Sequence, residues 1–140
     1  MSDFFIETAD KSDKKAIQRF YKQQRYSARF LGDDMTYLVR DNQDIIASVI
    51  ISFKDSHSFL HALVVAECWQ HQGLATKLLI ECQKHYPRLI CFCAPELSPL
   101  YTKNGFTAVS LIDLPEDLQL RFKAYRKNHE LVPMIWRHCE

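Results

Sequence analysis

Two short stretches carry residue types suited to chemistry. In VVAECWQHQGLATKLL, residues 64–79, an apolar β-branched run passes through the polar turn Gln70-His71-Gln72-Gly73 into a helical pattern. A helix that starts there presents the main-chain N–H groups of its first turn, which have no intrahelical acceptor. The helix dipole favours negative charge at the same place, so a phosphate suits these donors, each charge-assisted hydrogen bond contributing roughly 1.5 to 3 kcal/mol. Gly73, one of only three glycines, takes a Cβ out of the approach path and permits backbone angles that other residues resist. Ala75 is the next smallest choice, two positions on. The second stretch is LYTKNGF, residues 100–106, where Tyr101 supplies a phenol that stays protonated at neutral pH.

Other reactive side chains lack a working arrangement. The two familiar phosphate loops, GxxxxGK followed by Ser or Thr and GxGxxG early in a βαβ unit, are both missing. The six histidines are scattered without ligand spacing, so no metal is expected. Five cysteines, Cys68, Cys82, Cys91, Cys93 and Cys139, form an odd set without CxxC spacing, which fits reduced thiols in a cytoplasm. Cys91 and Cys93, two apart in RLICFCA, share one face of a strand as small packing residues. A net charge of +1 offers no global reason to bind nucleic acid or a membrane surface. The basic and aromatic run RFKAYRK, residues 121–127, reads as a solvated helix face, so nucleic acid is not expected as a partner. MSDFFIETADKSDKK lacks the uninterrupted apolar core of a secretory signal, and no apolar run reaches membrane-spanning length.

The elements that must position these residues follow from periodicity. With 140 residues, 47% of them hydrophobic and 25% charged, the chain is the size of one domain, 1–140. DFFIETA predicts a strand, and Ser12 an N-cap for a helix that buries Ala16, Ile17, Phe20 and Tyr21. Gly32, Asp33 and Asp34 interrupt the pattern before MTYLVRD, and DNQD turns the chain into IIASVIISF, making a hairpin. HSFLHALVV is a further strand. Leu74, Ala75, Leu78, Leu79 and Cys82 then mark a helix that runs to Tyr86 and is closed by Pro87. RLICFCA is a buried central strand, PELSPLYTKN a short helix ended by Gly105, and FTAVSLI another strand. Pro115, Glu116 and Asp117 open the last helix, with Arg126 and Lys127 in its final turn and Leu118, Phe122 and Tyr125 buried. LVPMIWRH is a terminal strand that Pro133 places at an edge or a bulge, where a second subunit could pair to give a homodimer. The expected fold class is α/β, a mixed, mostly antiparallel sheet of about six or seven strands flanked by helices, with one parallel crossover over residues 57–94.

The pattern Gln or Arg, two residues, Gly, one residue, Gly or Ala is met by Gln70, His71, Gln72, Gly73, Leu74 and Ala75 after LVV. With LYTKNGF, the chain resembles the Gcn5-related N-acetyltransferase (GNAT) family from its first strand to FTAVS. The resemblance implies a GNAT-like fold and an acetyl-CoA-dependent N-acetyltransferase, with acetyl-CoA as cosubstrate and no metal. It implies a strand that splays from its neighbour so that the main chain of Leu63, Val64 and Val65 meets the pantetheine arm. Gln70, His71, Gln72, Gly73, Leu74, Ala75 and Thr76 would cradle the pyrophosphate. Tyr101 would be the general acid that protonates the departing thiolate, its pKa of about 10 lying near the thiol's own.

The base has no ready match. Family members carry a glutamate where Ala62 stands or where Leu89 stands, and many place an asparagine at the position of Ala94. His61, one residue from the first of these, and Glu67, just beyond the strand, are the local substitutes, with a water chain to bulk as a third route. Direct attack by a small-molecule or peptide amine is the expected chemistry, with Cys68 as a rival nucleophile. The absent carboxylates keep open a noncatalytic acetyl-CoA or CoA-binding sensor. Acceptor recognition falls to residues 21–34 and the helix after Pro115.

Overall fold

The computed structural model of the protein describes residues 4–28, 34–54 and 57–138. In chain order its elements are strand β1 (Ile6–Thr8), helix α1 (Lys14–Gln23) and strands β2 (Asp34–Asp41), β3 (Asp44–Lys54) and β4 (His57–Val65). Helix α2 (Leu74–His85), strand β5 (Arg88–Cys93), helix α3 (Ser98–Lys103), strand β6 (Thr107–Ala108), helix α4 (Glu116–Tyr125) and strand β7 (Val132–Arg137) follow. The strands make one seven-stranded sheet in the order β1-β2-β3-β4-β5-β7-β6. Every neighbouring pair is antiparallel except β4 and β5, which the α2 crossover joins in parallel.

The sheet is covered on both faces. On one, Leu74, Leu78, Leu79 and Cys82 of α2 pack against Val39, Val49, Ile51, Leu60, Leu89 and Cys91. Leu78 is fully buried, and truncating it to alanine would cost about 2 to 5 kcal/mol. On the other, α1 sets Ile17, Phe20 and Tyr21 against Leu38, Ile50 and Ala62, while α4 sets Leu118 and Phe122 against Phe59, Ile90 and Ile135. The β2–β3 hairpin turns at Asn42, whose φ of 57° lies in the left-handed region that asparagine tolerates. Cys91 and Cys93 are both buried on β5, with Cys93 Sγ 3.5 Å from Met134 Sδ.

Three expectations are corrected. Asp10, not Ser12, caps the entry to α1: its carboxylate accepts from the Ser12 N–H at 2.8 Å, and Asp13 reaches back to the Asp10 N–H at 3.0 Å. A 3₁₀ turn over Lys11–Asp13 then leads into the helix. FTAVSLI is not a full strand, because β6 holds only Thr107–Ala108 and Leu111–Asp113 forms a 3₁₀ turn with a Ser110–Asp113 capping box. Pro133 does not sit on an edge strand: β7 lies between β5 and β6. Val109 donates to the Pro133 carbonyl at 3.0 Å, so in an antiparallel ladder the proline's missing donor also faces the β6 side. The loss falls where β6 stops, and the β5 ladder is untouched. Gly32, Asp33 and Cys139 lie outside the described residues.

Candidate active site

Two strands part at the centre of the sheet. Parallel pairing of β4 with β5 is confined to Phe59 opposite Ile90, and residues 60–65 run on without a β5 partner among the described residues. A bulge turns β4 away at this point. Ser48 faces Val64 and Ile50 faces His61, so one residue of β3 spans the interval that two residues fill on β4. Within it Ala62 is buried with φ at +56°, a left-handed conformation that costs a non-glycine residue about 1 kcal/mol or more. The Tyr21 hydroxyl donates to the Ala62 carbonyl at 2.7 Å and lies 2.9 Å from the Ser48 hydroxyl, which holds the bulge in place from α1. Leu63 and Val65 then pack into the α2 core and Val64 toward α1, so their side chains are structural while their main chain borders the gap.

Beyond β4, a 3₁₀ turn over Glu67–Trp69 carries the chain to the start of α2. Gly73 is the N-cap with φ at +79°, and no side chain caps the helix. Lys77 N–H is bonded to the Gly73 carbonyl at 3.0 Å, so the N–H groups of Leu74, Ala75 and Thr76 precede the first intrahelical bond. A Cβ built on Gly73 meets nothing within 4 Å, which leaves open space over these donors. His71 also has a positive φ, 66°, and Gln72 and His71 are exposed beside it. Leu74 buries its side chain in the core, so it offers the cradle only its main chain. Gln70 straps the loop to the strand, donating to the Val65 carbonyl at 3.2 Å.

Tyr101 is held by α3 and by the glycine that ends it. Gly105 has φ at +90°, and a Cβ there would lie 3.1 Å from Trp136 Cδ1, so glycine is required both by backbone and by space. Phe106 returns against the helix with its N–H on the Tyr101 carbonyl at 3.0 Å and its ring edge-on to the Tyr101 ring at 5.3 Å. Tyr101 is buried, 5% exposed. Burial, with Cys91, Cys93 and Tyr26 nearby, pushes its pKa well above 10, away from the thiol range expected from sequence. Burial and the Glu81 charge likewise raise Cys82 to about 12, and Cys91 is raised well above its ordinary value, leaving these thiols protonated and poorly nucleophilic. Cys68 is exposed.

On the α1 and α4 face of β4, the side chain of His61 stacks beside Phe59, ring centroids 5.4 Å apart. Its Nε2 lies 2.7 Å from Ser52 Oγ, and Ser52 Oγ is hydrogen-bonded to the Asp34 carboxylate. A carboxylate only accepts, so Ser52 donates to Asp34 and accepts from His61 Nε2–H. Nδ1 is then the basic nitrogen. Burial, with a smaller contribution from Arg121, pushes the His61 pKa down to about 4, so the ring is neutral at pH 7. Arg121 of α4 stands over the Phe59 ring at 5.2 Å. Glu67 is exposed on its turn and makes no side-chain hydrogen bond or ion pair among the described residues. Ser52, Asp34 and Arg121 were not singled out as site residues from sequence; the usable sign was Ser48 and Ser52, two polar residues four apart within IIASVIISF. No group of three His, Cys, Asp or Glu side chains among the described residues could hold a metal ion.

Residues 7–118 match the family profile described as Acetyltransferase (GNAT) domain. No curated protein matches the chain significantly. Among solved structures, N-acetylglutamate synthase from Neisseria gonorrhoeae, complexed with coenzyme A and N-acetyl-glutamate, is similar with a TM-score of 0.72 and 14% identity over 99% of this chain. This chain spans only 36% of that protein's length. The ribosomal-protein-S18-alanine N-acetyltransferase from Escherichia coli aligns with a TM-score of 0.70 and 13% identity, covering 96% of this chain and 94% of its own. A GNAT family acetyltransferase from Elizabethkingia anophelis with acetyl-CoA bound aligns with a TM-score of 0.62 and 16% identity, over 99% of this chain and 100% of its own. At these identities the structural likeness speaks to the fold.

Proposed function

Because the chain belongs to the GNAT acetyltransferase family, we propose that it moves an acetyl group from acetyl-CoA to an amine by direct attack of the amine nitrogen. One observation carries this: the Ala62 bulge opens the main chain of Leu63–Val65 just where the chain enters the uncapped, glycine-started N-terminus of α2. The pantetheine arm would lie along that main chain, and the pyrophosphate on the N–H groups around Gly73. Gln70, His71, Gln72, Ala75 and Thr76 border the same cradle. Acetyl-CoA supplies the activated acyl group; the residues of this chain bind it, hold the acceptor and move two protons.

His61 Nδ1 receives the proton that the amine gives up as its nitrogen–carbon bond forms, directly or through one water. The Ser52–Asp34 pair fixes the tautomer and steadies the ring, as positioning residues. Tyr101 gives its proton to the sulfur as the carbon–sulfur bond breaks. A buried phenol of raised pKa is a weaker acid, but it is always loaded with its proton. Glu67, exposed beyond the strand, is the less supported base. The buried, protonated thiols favour this direct route over transfer through a cysteine, and fit a reducing cytoplasm as the working location.

The test is thermal denaturation with acetyl-CoA, CoA, ATP, NADH and RNA, followed by thiol release on an amine panel. A ligand at a hundredfold over its Kd stabilises by about 2.7 kcal/mol, so acetyl-CoA and CoA should raise Tm and the others should not. Thiol release that depends on added amine supports the enzyme. Tight cofactor binding without release on any amine would favour a sensor.

A further inference from the structure

Among the described residues, nothing accepts a hydrogen bond from one buried nitrogen of Arg121. Its Nη1 atom is fully buried and has no hydrogen-bond partner, the one such side-chain nitrogen or oxygen found among the described residues. The guanidinium lies over Phe59, on the ring that also stacks with His61, and close enough to His61 to lower its basicity. Asp34 accepts from Ser52, and Asp117, four residues back on α4, lies 3.5 Å from His57 Nε2. An unanswered buried donor on a permanent cation is costly, so the arrangement is incomplete without an anion. A guanidinium presents its N–H groups as a flat fork that matches the two oxygens of a carboxylate.

We propose that Arg121 binds a carboxylate of the acetyl acceptor, so that the acceptor is an amino-carboxylate whose amine is delivered beside His61. The proposal rests on the acetyl-transfer function above and names the substrate class of that same site. It has a built-in consequence. A carboxylate on Arg121 cancels one of the two influences that depress His61, so the acceptor that needs a base also improves the base. Amines without a carboxylate leave the cation unanswered and are disfavoured.

The experiment compares free amino acids with their amides, and short peptides with free and amidated C-termini, as acceptors for wild type, Arg121→Lys and Arg121→Gln. Free carboxylates should be preferred by roughly 10- to 100-fold in kcat/KM, with Arg121→Gln removing the preference and Arg121→Lys keeping part of it. The peptide arm tells a free amino acid from a chain terminus. Calorimetry of the same compounds with the CoA-bound protein gives a second readout that needs no turnover, and unchanged acetyl-CoA binding by Arg121→Gln shows that the variant is folded. Equal use and equal binding of acids and amides by wild type, or an equal loss on both for Arg121→Gln, overturns the proposal. A wild type that does not bind acetyl-CoA overturns the underlying function instead, and the acceptor class with it.

Discussion

The two halves of the proposed site are built from different parts of the chain's chemistry. The cofactor half is made of main chain: the opened edge of Leu63–Val65 and the N–H groups after Gly73, with side chains either buried or turned to solvent. The acceptor half is made of side chains, His61, Ser52, Asp34 and Arg121, gathered from β4, β3, β2 and α4. The side-chain half holds a neutral histidine and a cation with one buried, unpartnered nitrogen among the described residues.

The sharpest break between the halves is Gly73→Glu. A carboxylate placed over the first turn of α2 repels phosphate and fills its space, so calorimetry should find no acetyl-CoA binding, at least a 100-fold loss. The fold should survive, since the new Cβ meets nothing within 4 Å and only the positive φ is penalised. Tyr101→Phe should leave cofactor affinity intact and lower kcat by roughly 100-fold. Its stability should change little, because the ring that packs edge-on against Phe106 is kept. Stopped-flow thiol release and denaturant titration would check the two parts separately.

His61→Gln probes the acceptor half alone, with kcat falling by about 10- to 100-fold while acetyl-CoA still binds. It also carries a pH signature. The folded chain keeps His61 neutral down to about pH 4, whereas the unfolded chain protonates it near 6.5, so stability is full above 6.5 and is lost as pH falls toward 4. The loss is up to about 3 kcal/mol before solvent screening is discounted, and His61→Gln should flatten that part of the stability profile relative to wild type. Ser52→Ala, the smallest change, should cost only a few-fold in kcat while shifting the pH profile, because it frees the tautomer without removing the base.

Legibility from sequence follows the same division. The limits of β4 and the start of α2 were plain, because β-branched residues give way to a polar turn and then to a helical apolar stripe. Gly73 and Gly105 were informative because both backbones do take positive φ. The bulge was hidden, since Ala62 is a residue type that gives no sign of a left-handed backbone. The meeting of His61 with Ser52 depends on the β3–β4 hairpin register, which sets Ser52 opposite Phe59 and Ile50 opposite His61 and which periodicity alone leaves open. Arg121 looked like one charge in a basic run, and only the packing of α4 onto Phe59 distinguishes it from Lys123 and Arg126. Pro133 misled for a related reason: what matters is the side of the strand that loses its donor, and that depends on where β6 ends.

The most direct measurement is amide-resolved NMR of the protein titrated with acetyl-CoA. The largest shifts should fall on the amides of Val64, Val65 and Gly73 through Thr76, with Arg121 and Ser52 little moved until an amine is added. Unperturbed amides at those positions, with saturable shifts elsewhere in the sheet, would contradict a cofactor groove between β4 and β5.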